Sequence, residues 1–435
     1  MAIKSLVKNF RDIGRVISAP SLLLAHFAIW QLIVMTIYLG SRERQDLVPI
    51  FSNGIYLSLV GLATLLLCVH LFFIRADSKL QKQDKIYISI FIFPTLVLYL
   101  SMVINYDFKS LQSLTLLFIF LVPLVIWRAQ FDSRDWALFN IIIVSLSIIN
   151  MIYSILQIFS KIPVAQINSR DGVIGFIDRP TGIFFNAFAM SYASVIFLAL
   201  GLDILIKNKK QRKFGILIIS SSVVSLVLSG TRTSLWLGFL IIISFIALNY
   251  WTKFKNIKVA VTLVLIVLGV GAPFILLILG LLNGNTEWST LNGRTQMWSC
   301  VISNANQFLP IGVGLEDAFP PKFCADSGWF ANLRHPENMF LLAFVESGPL
   351  GIAAYALLFI FVVINSFKAL DKKFILPIAL TSTFLLSNLI YVSLFHYLPF
   401  LPDRPADRGI FNFHIMYFIW IWIMKNARDS LNKES

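Results

Sequence analysis

Apolar runs of about 18–25 residues recur along nearly the whole chain, each closed by a short polar break, and a run of that length matches a helix crossing the hydrocarbon core of a bilayer. The pattern predicts roughly twelve membrane helices. They fall over residues 19–40, 55–74, 86–105, 111–127, 136–159, 182–206, 214–229, 233–252, 259–282, 339–366, 374–396 and 410–424. A basic amphipathic lead, MAIKSLVKNFRDIGRV, precedes the first run, and no small-residue cleavage site with a soluble region follows. The first helix is therefore expected to be retained rather than removed as a signal peptide.

Two polar segments interrupt this rhythm. Residues 161–182, KIPVAQINSRDGVIGFIDRPTG, carry Gly, Pro and alternating charge. Residues 283–338 form a much longer break. Within it, NGRTQMWSCVISNANQF (292–308) sets Met297, Val301, Ile302 and Phe308 at roughly helical spacing. That predicts an amphipathic helix lying on the bilayer surface. A loop this long without strands of its own is usually functional. The chain reads as one transmembrane domain, 1–435, with 283–338 as a long outer loop over the site and 161–182 as a second one. No internal repeat marks an inverted-repeat transporter.

Composition agrees with this picture: 57% of residues are hydrophobic, 13% are charged and the mean hydropathy is +0.79. A soluble fold cannot hide that much apolar surface. The net charge of +14 would point to nucleic acid in a soluble chain, but here it follows topology, and no nucleic-acid partner is expected. With the N-terminus inside, the inner segments hold 24 of the 36 Lys and Arg residues and the outer ones 12. This is the positive-inside bias, and it places both termini in the cytoplasm. Nine of the outer twelve are arginines: 42, 44, 170, 179, 232, 294, 334, 404 and 408. Arginine keeps its charge and grips phosphate through a planar fork. An Arg-rich outer face suggests a phosphorylated ligand held there, while contact with lipid phosphates is the plainer alternative. Of three cysteines, Cys68 lies within a predicted helix. Cys300 and Cys324 both fall in the long loop, where a disulfide between them is open.

Three places bear candidate chemistry. VLSGTRTSLW (227–236) breaks an apolar stretch with Gly230, Ser and Thr, and sets Arg232 at the break. An arginine near membrane depth needs an anion or a water-filled cavity, and the following helix turns its N-terminal amides to the same spot. An ordinary turn with Arg232 reaching into water is the alternative. Second, NLRHPEN (332–338) places Arg334, His335, Glu337 and Asn338 directly before the run MFLLAFV. Glu337 and Asn338 are suited to cap that helix. His335 or a desolvated Glu337 is suited to accept a proton from a hydroxyl. Third, Glu346 lies further into the apolar run, as counter-ion to an arginine, as orienter of the base, or in a plain buried ion pair. Trp288, Trp298 and Trp329 in the loop are placed to stack on a ligand or to anchor the loop at the interface.

Four stretches together resemble the bacterial O-antigen ligase and O-antigen polymerase superfamily. They are RPTGIFFNAFAMS (179–191), SGTRTSLW (229–236), NGRTQMW with FLPIGVGLEDAF (292–298 and 308–319), and HPENMFLLAFVESGPLG (335–351). The resemblance runs from about residue 170 to 365 and implies an all-α, GT-C-type multipass glycosyltransferase of the bacterial inner membrane, with its active site on the periplasmic side. It implies inverting transfer that needs no metal or other cofactor. The implied donor is a glycan on undecaprenyl diphosphate. The acceptor is a second lipid-linked repeat unit in a polymerase or lipid A–core in a ligase, with a chain-length regulator as a further partner beside the membrane lipids.

Carried over motif by motif, Arg232 and Arg294 are the catalytic arginines that hold the diphosphate. Arg179, Asn338 and Glu346 fall in the same motifs, Arg334, Arg404 and Arg408 join the substrate-binding set as outer arginines, and Glu337 and His335 are the candidates for the catalytic base. The usual ligase pattern is His-x-His-Asn, and here Glu337 fills the second histidine's position. That departure, together with RPTGIFFN, leans toward a repeat-unit polymerase, with a ligase as the alternative. A twelve-helix transporter or flippase is the competing class, and it would place charges at mid-bilayer in several helices.

Overall fold

The computed structural model describes residues 82–105, 127, 133–159, 180, 182–183, 187–207, 209–251, 294–314, 338–371, 374–390 and 423–425. Among these residues the protein is all-helical, with no strand. The helices are α1 (Lys82–Ile104), α2 (Ser133–Ile158), α3 (Ala187–Lys207), α4 (Arg212–Ser229), α5 (Arg232–Trp251), α6 (Arg294–Ser303), α7 (Met339–Asp371) and α8 (Ile375–Ile390). Short 3-10 turns cover Lys209–Gln211 and Ala305–Phe308. Among the described residues, five helices are long and apolar enough to cross a membrane, by length and composition: Asp84–Ile104, Asn140–Ile158, Met190–Lys207, Arg212–Ser229 and Met339–Leu370. The predicted spans 19–40, 55–74 and 259–282 lie outside the described residues, as do nearly all of 111–127 and 410–424.

The chain divides into two compact units. The first holds residues 1–89, 111–235 and 400–425. Its described core is a bundle of α2, α3 and α4. Helix α2 is polar inside and apolar outside. Ile141, Ile149 and Ile152 are about half exposed, as suits a lipid-facing stripe, whereas Ser147, Asn150, Ser154 and Gln157 are buried. Those four polar residues recur at 3-4-3 spacing, which keeps them on one helical face. Ser147 faces the serine row of α4, and its hydroxyl meets Ser221 Oγ at 2.5 Å and Ser222 Oγ at 3.2 Å. Inside a bilayer an unpaired hydroxyl has no water to turn to, so such pairs select one helix partner and register. Helices α3 and α4 form a tight antiparallel pair joined by the 3-10 turn. A Cβ on Gly215 would lie 3.0 Å from both Gly201 O and Leu205 N, so the small residue lets the backbones approach. In the same unit, Lys425 donates to Trp127 O at 2.8 Å and sits over that indole ring.

The second unit holds residues 90–110, 236–399 and 426–435. Helix α7 dominates it and corrects the single span expected over 339–366. A straight helix of 33 residues would be about 50 Å long, well beyond a bilayer core. Instead the helix breaks at Gly348, which has φ 65° and ψ −158°, and Pro349 follows. The two arms fold against one another. The Phe340 and Phe359 rings lie 6.1 Å apart, where an unbroken helix would separate their positions by about 28 Å. A Cβ on Gly351 would overlap Ala343 O, so the arms touch through backbone. Residues 339–347 are therefore a half-helix of about 13 Å, and only residues 349–371 have the length of a span. Helix α8 returns antiparallel to α7, with Ser366 and Thr381 hydroxyls 3.2 Å apart.

Candidate functional site

One candidate region sits at the α4–α5 junction of the first unit. Helix α4 ends on Gly230 in the left-handed region, φ 60°, whose N–H donates to Val227 O at 3.2 Å. Ser229 Oγ accepts from Thr231 N at 3.3 Å, and Thr231 O accepts the first bond of α5 from Leu235 N at 3.1 Å. Ser229, Gly230 and Thr231 are all buried. Arg232 is the first helical residue of α5, one position earlier than the sequence pattern placed the helix start.

Beside this junction lies the turn that follows Arg179. Gly182 adopts φ 57° and Pro180 is buried. Two side chains of α2 clamp the turn. Gln157 Oε1 accepts from Gly182 N at 2.9 Å and its Nε2 reaches Gly182 O at 3.5 Å. Asn150 Oδ1 accepts from Ile183 N at 3.2 Å. A Cβ on Gly182 would overlap Asn150 Oδ1 and lie 2.8 Å from Met190 Sδ. Met190 thus touches the turn, while its neighbour Ser191 is hydrogen-bonded to Ser234 of α5 at 2.7 Å. These consecutive residues bring the turn after Arg179 and the helix start at Arg232 to one end of the first unit.

A separate candidate region belongs to the second unit. Arg294 opens α6, whose Val301 packs with Phe308 and Val345 in a small buried cluster. The Phe308 and Phe344 rings meet edge to face at 5.6 Å. Of the residues expected on the apolar face of this helix, Val301 and Phe308 turn to α7 and Ile302 is exposed. Cys300 is disulfide-bonded, and the only other cysteines, Cys68 and Cys324, lie outside the described residues.

After Phe308 the chain runs as a strap across the break in α7. The break frees two carbonyls. Pro349 has no N–H to return to Val345 O, and the turn at Gly348 takes the next donor away from Glu346 O. The strap supplies both: Val313 N donates to Val345 O at 2.9 Å and Gly314 N to Glu346 O at 3.1 Å. The approach demands glycine on each side. A Cβ on Gly312, φ 80°, would overlap the Glu346–Ser347 peptide, and one on Gly348 would lie 2.5 Å from Pro310 O. Two residues of α1 complete the joint: Ser101 Oγ donates to Glu346 O at 2.5 Å and Asn105 Nδ2 to Gly312 O at 3.2 Å.

Asn338 caps α7, as its sequence position predicts. Its Oδ1 accepts from Phe340 N at 3.0 Å and Leu341 N at 3.1 Å. Glu346 is buried on the short arm of the same helix, next to the break. Arg179, Arg334, His335, Glu337, Arg404 and Arg408 lie outside the described residues, and Trp288 and Trp329 do so as well. Among the described residues no cluster of His, Cys, Asp or Glu has metal-binding geometry. Sequence reasoning missed Asn150, Gln157, Ser101 and Asn105. The polar 3-4-3 stripe on α2 was the available signal for the first two, and the other two left none.

The decisive comparison concerns the stretch from α4 to the long arm of α7. Residues 214–356 match the family described as O-antigen ligase. This stretch is similar to the O-antigen ligase family. The match supports the O-antigen ligase and polymerase superfamily for the chain, and with it a glycosyltransferase-like membrane protein. It contains Arg232, Arg294, Asn338, Glu346, the strap and the break in α7. No curated protein and no solved structure gives a match.

Proposed function

We propose that the protein is an inverting, metal-independent glycosyltransferase that polymerises lipid-linked repeat units at the periplasmic face of the bacterial inner membrane. The observation that carries this reading is the placement of Arg232 and Arg294, each at the first residue of a helix with no acidic residue in its first turn. A helix N-terminus is already positive, so a cation there is unfavourable by about 0.3–1 kcal/mol unless an anion is shared between them. Free N–H groups and a guanidinium on the first residue of a helix suit a diphosphate. Both positions fall within the matched O-antigen ligase stretch.

In this reading the donor is a glycan on undecaprenyl diphosphate. The acceptor hydroxyl oxygen attacks the anomeric carbon, the carbon–phosphate-oxygen bond breaks, and undecaprenyl diphosphate leaves. Glu337 takes the hydroxyl proton, with His335 orienting it or the acceptor, and His335 is the other candidate base. Arg232 and Arg294 offset the charge that develops on the leaving diphosphate. Arg179, Arg334, Arg404 and Arg408 extend the basic site along the donor and acceptor, Asn338 fixes where the half-helix begins, and Glu346 is the counter-ion of an arginine or orients the base. Twelve helices with cytoplasmic termini, a long outer loop at 283–338 and a second at 161–182 complete the arrangement. A chain-length regulator is a further partner.

The description of the matched family favours a second reading, a ligase that joins the glycan to lipid A–core. One assay separates the two. Purified protein is given undecaprenyl-diphosphate-linked repeat units alone, and the products are resolved on a gel. A ladder of longer lipid-linked glycans supports the polymerase. Transfer seen only after lipid A–core is added supports the ligase. No product in either case overturns the transferase reading and favours transport.

A further inference from the structure

We infer that Ser101 and Asn105 of α1 are positioning residues for the reaction, holding the strap and the broken helix so that α6 presents Arg294 correctly. The inference rests on the reading that Arg294 binds the donor diphosphate.

The geometry is a three-way polar joint. Helix α1 is an apolar span that exposes Ile86, Phe93, Leu96, Leu100, Val103 and Ile104. Its end carries two polar residues one turn apart. Ser101 is fully buried and its hydroxyl donates to Glu346 O, the carbonyl that the break in α7 sets free. The Asn105 amide donates to Gly312 O on the strap and also back to Ser101 O at 2.9 Å and Ser101 Oγ at 3.2 Å. One small network therefore ties α1 to both partners of the strap–helix contact. From Gly312 the chain leads back within four residues to Phe308, and Phe308 packs with Val301 of α6 on Val345. Arg294 lies two turns before Val301 on the same helix. The position of Arg294 is thus set by a relay of backbone bonds and one small apolar cluster.

Neither Ser101 nor Asn105 is needed to make α1 a membrane helix. A run of apolar residues would insert better, since each hydroxyl or amide costs free energy in hydrocarbon. Their donors meet carbonyls that exist only because α7 breaks and the strap crosses it. The pair is thereby fitted to the loop geometry, and a slip of about 1 Å in a substrate-holding group is enough to lower a rate about a hundredfold.

The test uses the full chain, purified with its membrane lipids, and the glycan-ladder assay. Asn105→Asp keeps the shape and removes the amide donor, Ser101→Ala removes the hydroxyl, and Ser101→Thr keeps it. The expected result is a fall in kcat of about tenfold for Asn105→Asp and for Ser101→Ala, equivalent to one buried hydrogen bond. The donor KM should stay within about twofold and Ser101→Thr should recover the rate. Rates are expressed per folded protein, counted by size-exclusion chromatography. If the yield of folded protein falls while kcat per folded molecule holds, the residues are structural and the inference is overturned. A rise in donor KM at constant kcat overturns it too. Should Ser101→Ala fail to fold, Asn105→Asp at the exposed end of the joint carries the test. Arg294→Ala is measured alongside. Full activity there overturns the site reading and the inference with it. A dead Arg294→Ala beside normal Ser101 and Asn105 variants overturns the inference alone.

Discussion

Replacing Gly182 by alanine attacks the turn after Arg179 at its tightest point. Two costs add. The residue sits at φ 57°, where a side chain costs about 1–2 kcal/mol. The new Cβ would also overlap Asn150 Oδ1, so Asn150 must move and release Ile183 N. A buried N–H left without its acceptor costs about 1–3 kcal/mol. The midpoint of the sum is about 3–4 kcal/mol, a drop of several hundredfold in the fraction of molecules with the turn formed. The helices α2 and α3 remain packed through other residues, so the protein should still fold and insert. Ladder synthesis per folded molecule should fall by roughly two orders of magnitude. The double variant Gly182→Ala with Asn150→Ala removes the overlap and keeps the φ penalty. It should recover no more than about tenfold, because the N–H of Ile183 stays unpaired. Activity of Gly182→Ala within threefold of the parent, in protein shown to be folded, would refute the reasoning that this turn is locked and needed.

Other outcomes follow from the same geometry. Arg232→Ala and Arg294→Ala should each lower the ladder-forming rate by about 100-fold or more, and Arg→Lys should recover little, because a lysine lacks the planar fork. Full activity in either alanine variant removes that residue from the diphosphate site. Gly348→Ala should lower both thermal stability and activity, since its Cβ would lie 2.5 Å from Pro310 O and push the strap off the freed carbonyls. Unchanged melting in detergent would show that the strap does not depend on this contact. In the seam of the first unit, Ser147→Ala should cost about 0.6 kcal/mol, the usual value for a polar contact between membrane helices. Ser225→Ala should be neutral or stabilising, because Ser225 Oγ is buried with no hydrogen-bond partner among the described residues. A loss of stability in Ser225→Ala equal to that of Ser147→Ala would contradict the assignment.

Much of this protein is written in hydrophobic runs. The helices described at 82–104, 133–158, 212–229 and 232–251 fall within a few residues of the predicted spans, because burying a backbone in lipid leaves little choice but a helix of fixed length. The break at Gly230, the helix after Arg294 and the cap by Asn338 were equally legible, since each depends on neighbours within four residues. The superfamily resemblance was legible too, and the match over residues 214–356 supports it.

What the sequence could not specify was which polar atoms meet across distance. The apolar run over 339–366 reads as one span in spite of Gly348–Pro349, and whether α7 bends there or folds back on itself depends on what receives Val345 O and Glu346 O. The answer lies in Val313, Gly314 and Ser101, the last more than 240 residues away. The amides of Asn150 and Gln157 likewise read as a polar stripe, and only packing shows that they grip Gly182 and Ile183. Local order is set by short-range sterics and by the absence of water in the bilayer, so periodicity reveals it. The site is set by long-range pairing of buried donors and acceptors, and only the tertiary structure decides that.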